Sequence, residues 1–512
     1  MENSHEIKTT IYLALMMLAS TLLSLCFFLH QSLRLDEAQS LWQTSRSAVG
    51  IITLVSQDVH VPLYHELLHA WRLFFGSSVP AARLLSMLFY LLGIPALYAL
   101  GRLAYDRQIG LYAALLFSIS PFMNWYGNEV RMYSLFTLLV ICNQYCFVRL
   151  FKRMGDTHQG ATWVGYMATA LVGIFVHYFF FLNLLAQAAF YFLHADLFPA
   201  RALRRFIIAA ALVTAAFLPW VWFVHLQGQA QNQTPLLSIP TTINLFNTFA
   251  QFLFGFQSDA VNTFFLSLWP LTIIFAFLAL RRGRLHSPVT EYLLLSAFLS
   301  VLIAFAISFI TPVFVSRYLI FTVPALYLLL GNLFDSYAPQ VGRFARSFVV
   351  LVMLVTLGVE IVSAATPVKE DYRDAATFIA QNATAQDVVA LSAPFTIYPI
   401  EYYYRGQAPI TTIPLWNRYA YGPIPPFSAE KLPAQVDSIT ADHQNVWLLL
   451  SYDQGYEQQV KAYFDTHYQR LLAITFSHDL TLYVYKIRYD TVRSQASAAV
   501  FAACMLPPKS DA

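Results

Sequence analysis

The chain has 512 residues, 58% of them hydrophobic and only 12% charged, with a formal net charge of +3. Soluble domains carry about twice that charged fraction, so a string of soluble domains is excluded. The basic residues sit in short clusters between apolar runs, and no nucleic-acid partner is expected from them.

In chain order, apolar runs of spanning length, roughly 17–25 residues, fall near 11–30, 79–100, 109–126, 130–150, 162–177, 178–194, 206–225, 263–280, 289–310, 317–334 and 347–365. The reading is about eleven spans; the stretch 162–194 is long for one helix and short for two. With the N-terminus inside, the inner loops hold Arg102 and Arg107; Lys152 and Arg153; Arg201, Arg204 and Arg205; Arg281, Arg282 and Arg284; Arg343 and Arg346. This alternation follows the positive-inside rule. No small-residue cleavage site precedes Leu33, so the first span is expected to be retained rather than cut as a signal peptide.

The composition changes after Thr366. Helical spacing over Asp371–Gln381, apolar strands at Asp387–Leu391 and Val446–Leu450, an amphipathic helix over Tyr456–Tyr468 and a strand pair at Leu472–Phe476 and Leu480–Tyr485 imply a small α/β domain. The expected architecture is a mainly α polytopic membrane protein. Residues 1–365 form the membrane domain, with 31–78 as an outer loop; residues 366–490 form an extracytoplasmic α/β domain, and 491–512 a tail. Cys26, Cys142, Cys146 and Cys504 include no CxxC, which indicates neither a disulfide framework nor a zinc site.

With this topology the unusual polar residues gather on one side. Asp36 and Glu37 follow the first span, and Asp58, His60 and Tyr64 lie in the first outer loop. Glu129, Arg131 and Tyr133 begin the fourth span; His177 and Tyr178 form the turn between the fifth and sixth; Arg317 and Tyr318 open a late span. Arg317 runs against the positive-inside bias, and its planar fork suits two phosphate oxygens. Each has a plainer reading. The acids fit a solvated helix start, the histidines a structural role, Glu129 and Arg131 a water-facing helix end, and Arg317 a snorkelling cation. The run Tyr178–Phe181 fits an interfacial aromatic belt. Their shared side favours a site.

Several stretches resemble the membrane-embedded GT-C glycosyltransferases of the bacterial group related to protein O-mannosyltransferases and aminoarabinose transferases. They are the Asp36-Glu37 pair, the run VPLYHELLHAW over 61–71, Ala82-Arg-Leu-Leu-Ser86, Tyr98–Arg102, Gly110–Leu116, Ser120-Pro121, Asn128-Glu-Val-Arg-Met-Tyr133 and Arg317-Tyr318. Their order is more specific than any one of them. Val61, Asn128 and Val130 depart conservatively from the family's proline, glutamine and alanine.

The resemblance implies the GT-C fold and transfer of a sugar from a polyprenyl-phosphate donor to a protein, glycan or lipid acceptor. Transfer would take place on the outer side of the plasma (inner) membrane. It implies Asp36 as base with Glu37 orienting the acceptor or assisting, and Arg131 on the donor phosphate with Arg317 as a second cation. Glu129, His60, Tyr64, His177, Tyr318 and Tyr133 are expected to line the substrates. The amphipathic stretch Leu67–Phe75 would rest at the bilayer interface. Some relatives are thought to use a divalent cation, for which Asp58 and His60 are the weak candidates here. Their spacing matches no metal motif, and no cofactor is expected to be required. The alternatives are a carrier or flippase for lipid-linked sugars, whose charges should sit near the midplane in paired halves, and a non-catalytic accessory subunit.

Overall fold

The structure is a computed structural model that describes residues 2–487 apart from 59, 154–158, 228–236, 258–262, 265–266, 268–286, 363–369, 420–423 and 478. The expected span at 263–280, all but a few residues, the basic loop 281–284 and the tail 491–512 lie outside the described residues. The chain forms two compact units, Met1–Gln31 with Asp36–Lys369, and Ser32–Leu35 with Glu370–Ala512.

The first unit is helical. Helix α1 (Glu2–His30) leads to three short helices, α2 (Leu35–Gln43), α3 (Ala48–Val55) and α4 (Leu63–Phe75), then to α5 (Val79–Ala104), α6 (Arg107–Ile119), α7 (Pro121–Gly127), α8 (Tyr133–Lys152), α9 (Gly160–Val176), α10 (Phe180–Leu193), α11 (Ala200–Gln227) and α12 (Thr242–Phe254). Helix α13 (Pro288–Ile307) contains a π turn, Leu295–Leu299. A 3₁₀ turn over Ser316–Thr322 runs into α14 (Val323–Asp335), and α15 (Pro339–Val362) closes the unit. Among the described residues seven helices are long and apolar enough to cross a membrane, with α6, α9 and α10 shorter apolar companions. The protein is a multi-pass membrane protein.

One expected span resolves differently. The run 109–126 is broken into α6 and α7 because Pro121 drives Ser120 into extended backbone, and the Ser120 hydroxyl then accepts the Met123 N–H as an N-cap. The stretch 162–194 is two helices joined by a tight turn at His177–Phe179. Close packing of α5 on α6 depends on glycine. A Cβ on Gly101 would lie 2.6 Å from the Gly110 Cα, the close helix approach that small residues permit in a bilayer. At the far end of α4, Leu73, Phe74 and Phe75 are exposed, as an interfacial helix requires.

The second unit is a five-stranded sheet in the order β2-β1-β3-β5-β4. β1 (Val388–Ser392) is buried along its whole length and pairs in parallel with β2 (Ile410–Ile413) and β3 (Asn445–Ser451). Such double-sided burial is typical of a parallel strand covered by helices. β4 (Gln469–Ser477) and β5 (Leu480–Lys486) form the terminal antiparallel pair. Helices Leu432–Thr440 and Glu457–His467 pack Val436, Ile439, Val460 and Phe464 onto Val446, Leu448 and Leu450. Ser32 and Leu33 are tied into this unit: the Ser32 hydroxyl accepts the Arg373 N–H, and the Tyr403 hydroxyl accepts the Leu33 N–H.

Candidate active site

Helix α2 opens with its two acids in the first turn, where the helix dipole favours negative charge. They meet different surroundings. The Asp36 side chain remains 22% accessible, whereas Glu37 is fully buried. Arg83, one turn into α5, donates to both Glu37 oxygens at 2.9 and 2.8 Å and to the Gln31 carbonyl at 3.0 Å. Glu37 Oε1 also accepts the Val130 N–H at 3.1 Å. A carboxylate buried alone would cost several kcal/mol; the forked pair offsets that. Both Glu37 oxygens are thus held by protein groups.

Between α7 and α8 the backbone of Asn128–Met132 is non-helical, and all five residues are buried. The reading of Glu129 and Arg131 as a water-facing helix start is corrected here. Glu129 is 0% and Arg131 3% exposed. Arg131 reaches back across 95 positions to α2, donating to the Asp36 carbonyl at 3.3 Å and the Ser40 hydroxyl at 3.2 Å. Its other terminal nitrogen donates to His60 Nε2 at 2.6 Å. A guanidinium has no acceptor, so Nε2 accepts and the neutral ring carries its proton on Nδ1. Burial, reinforced by Arg131, holds the His60 pKa well below the usual histidine value.

Arg317, in the 3₁₀ turn before α14, places a terminal nitrogen 3.7 Å from Asp36 Oδ2 and its guanidinium 5.4 Å from the Tyr318 ring centre. The Nε atoms of Arg131 and Arg317 and the Tyr133 hydroxyl are buried with no hydrogen-bond partner among the described residues. Tyr133 packs edge-on to Tyr126 and sits in the field of both arginines. Buried donors of this kind ordinarily find a partner, so the cluster retains capacity for an anion.

A cavity of about 370 Å³ opens beside it, lined by Asp58, His60, His177 and Tyr318 among apolar groups such as Val61, Met132, Val313 and Phe179. His177 stacks flat on Phe136 with ring centres 4.6 Å apart and lies 5.5 Å from Tyr318. Tyr178 is more than a belt residue. Its hydroxyl donates to the His60 carbonyl and accepts the Trp220 indole N–H, and it too lines the cavity. Tyr64 does not. Its hydroxyl is within 3.1 Å of the Ser86 hydroxyl, which donates to the Arg131 carbonyl, so Tyr64 braces the loop from behind.

The metal candidates fit a cation poorly. Asp58 Oδ2 accepts from Gln39 and Gln43 at 3.2 and 3.0 Å, and His60 Nε2 faces a guanidinium. Among the described residues no three His, Cys, Asp or Glu side chains come together as a ligand set. Sequence reasoning missed Arg83, Ser40 and the two glutamines. Arg83 and Ser86 lay within the family-like run Ala82–Ser86, and an arginine one turn into an apolar span is itself a signal.

The chain has the GT-C fold. Residues 59–223 match the family model described as dolichyl-phosphate-mannose-protein mannosyltransferase. The chain is similar in structure to ArnT from Cupriavidus metallidurans in the apo state, at 12% identity and a TM-score of 0.62 over 93% of this chain and 98% of that one. It is similar to the same protein bound to undecaprenyl phosphate, at 13% identity and a TM-score of 0.60 over 93% and 97%. The archaeal oligosaccharyltransferase AglB from Archaeoglobus fulgidus, in complex with an inhibitory peptide and a dolichol-phosphate, matches at 13% identity and a TM-score of 0.50 over 97% and 78%. No curated protein sequence matches the chain. The likeness to GT-C glycosyltransferases read in the sequence is borne out by the family model and the shared fold.

Proposed function

We propose that the protein transfers a sugar from a polyprenyl-phosphate donor to an acceptor hydroxyl at the extracytoplasmic face of the plasma membrane, with inversion at the anomeric carbon. The observation that carries this reading is the pairing of Asp36 with Arg317 at 3.7 Å, beside a largely apolar cavity. A base and a cation so placed can serve the two ends of one displacement. The acceptor oxygen bonds to the anomeric carbon while its proton passes to Asp36. The bond from that carbon to the phosphate oxygen breaks, its electron pair leaves with the lipid phosphate, and Arg317 stabilises the charge that develops.

Arg131 adds positive field and fixes the Asp36 carbonyl. Val61, Met132, Val313 and Phe179 give the cavity an apolar lining suited to the first isoprene units of a lipid, and His60, His177 and Tyr318 add polar groups to the same lining. The alternating basic loops orient this end of the bundle away from the cytosol. Lipid phosphates bound by the ArnT and AglB neighbours support the donor class.

The test is to incubate purified protein with a panel of polyprenyl-phosphate sugars and a membrane extract as acceptor source, following release of lipid phosphate. Consumption of one donor is expected. Binding of lipid phosphate without consumption of any donor would point to a carrier or an accessory subunit instead.

A further inference from the structure

We infer that Arg83 and Glu37 form a buried positioning clamp that sets Asp36 and Arg131 relative to one another, so that one acid of the adjacent pair reacts and the other builds. The inference rests on the proposed transfer reaction for its catalytic consequence, though not for its geometry. The Arg83 fork holds both Glu37 oxygens at 2.9 and 2.8 Å, and the two side chains are 1% and 0% exposed. Two of the groups the pair involves, Glu37 itself and the Val130 N–H, lie beside a site residue in the chain. Glu37 immediately follows Asp36, and Val130, whose N–H donates to Glu37 Oε1 at 3.1 Å, immediately precedes Arg131. A third tie runs from Arg83 to the Gln31 carbonyl, just before the segment that leads into α2. Arg131 closes the ring by donating to the Asp36 carbonyl.

The arrangement explains why this arginine is buried in an apolar span at all. The Asn128–Met132 backbone is not helical and cannot satisfy its own N–H groups through an i→i−4 ladder. The Glu37 carboxylate supplies one missing acceptor, and only a forked, permanently charged donor can hold that carboxylate by both oxygens. Lysine at position 83 would keep the charge but lose the fork, leaving Glu37 free to rotate. Asp36 and the Arg131 loop would then drift apart by a fraction of an ångström or more, and a misplacement of about 1 Å costs on the order of 100-fold in rate.

The experiment compares the full-length wild type with Arg83→Lys, Glu37→Gln and the neutral double variant Glu37→Gln/Arg83→Gln, all in the same detergent. Three quantities are read: amide hydrogen exchange across residues 128–134, affinity for undecaprenyl phosphate, and kcat and KM for the donor consumed in the panel. Arg83→Lys is expected to raise exchange in 128–134, to lower kcat by about 100-fold and to leave lipid-phosphate affinity and KM nearly unchanged. The double variant should fall no further than the singles, because one coupled unit is being removed.

Unchanged exchange and kcat in Arg83→Lys would overturn the clamp. An intact kcat in Glu37→Gln would also overturn it, because the clamp would then not set the reacting geometry. If Arg83→Lys does not fold, the double variant carries the test, since it removes both charges of the pair together. Failure of both to fold would assign the pair to stability alone. A wild type that consumes no donor, with exchange still rising in the variants, would defeat the transfer reading and leave the clamp standing.

Discussion

Helix α8 carries two buried polar regions, and they differ in kind. At its start, the loop bearing Arg131 and the first-turn Tyr133 joins Asp36, Arg317 and His60 in a cluster of charges with orphaned donors. Ten residues on, about 15 Å along the axis, Asn143 and Gln144 enter a neutral network. Asn143 donates to the Tyr166 carbonyl and to Thr169, and accepts from Asn183 and Gln187. Gln144 donates to Asn183 and Ser296, and Gln187 donates to Tyr292 and accepts from Tyr166. Only the Gln144 side-chain oxygen is left over in that set. The neutral region joins helices to one another; the charged one holds donors ready for something else. Polarity inside a membrane bundle therefore marks a site only where charge and unmet hydrogen-bonding capacity coincide.

The largest effect that would break this contrast is expected at Asp36. Asp36→Asn keeps the shape and removes the base, so kcat should fall by roughly 10²–10⁴, while undecaprenyl phosphate binds as well as before. A variant that still turns over at near wild-type rate would move the base elsewhere. Next comes Arg317. Its Nε has no partner among the described residues and its terminal nitrogen sits 3.7 Å from Asp36, so Arg317→Gln should lose one charge-assisted contact to phosphate. That is about 1.5–3 kcal/mol, or roughly 10–100-fold in Kd, read by titration with the lipid phosphate. Unchanged affinity would leave Arg131 alone to hold the phosphate.

How much of this was legible before the structure varies with the physical signal. The helical class, the terminal sheet unit and most helix positions follow from apolar run length and spacing, which local sequence dictates. Asp36, Arg131, Arg317 and His60 stood out as polar groups at span ends. Their mutual contacts cross 95 positions in Arg131–Asp36 and 281 in Arg317–Asp36, and no local pattern encodes those. The burial of Glu37 under a fork from Arg83 was hidden for the same reason, since the chain supplies Arg83 from another helix. Strand β2 and helix Ile397–Tyr403 were missed because both are short and irregular in periodicity. The neutral network was missed because single Asn and Gln residues in apolar runs carry no pattern of their own.

A smaller effect should appear with pH. His60 and its ring neighbour His65, stacked at 5.9 Å, lie in the α3–α4 turn and at the start of α4. Burial holds both below the ordinary histidine value of 6.5, His65 at about 3. Around His60, Arg131 and Arg317 oppose its protonation and Asp36 favours it. The unfolded chain takes up these protons near 6.5 and the folded one does not, so stability is full above that pH and declines below it. The slope is at most about 1.4 kcal/mol per pH unit for each histidine. The thermal midpoint in detergent should drop between pH 7.5 and 5.5, and His65→Gln should flatten the drop. A midpoint that rises on acidification would contradict buried neutral rings.

The smallest effect sharpens the comparison from the other side. Asn143→Ala removes the hub of the neutral network and leaves Asn183 and Gln187 with unmatched amide groups. Interhelical polar contacts in bilayers average only about 0.6 kcal/mol, because helices separated in lipid find other partners. The midpoint should therefore fall by a few degrees, while kcat and lipid-phosphate affinity stay at wild-type values. Loss of turnover without loss of stability would erase the distinction drawn along α8, since a region with its hydrogen bonds met would then be serving the chemistry.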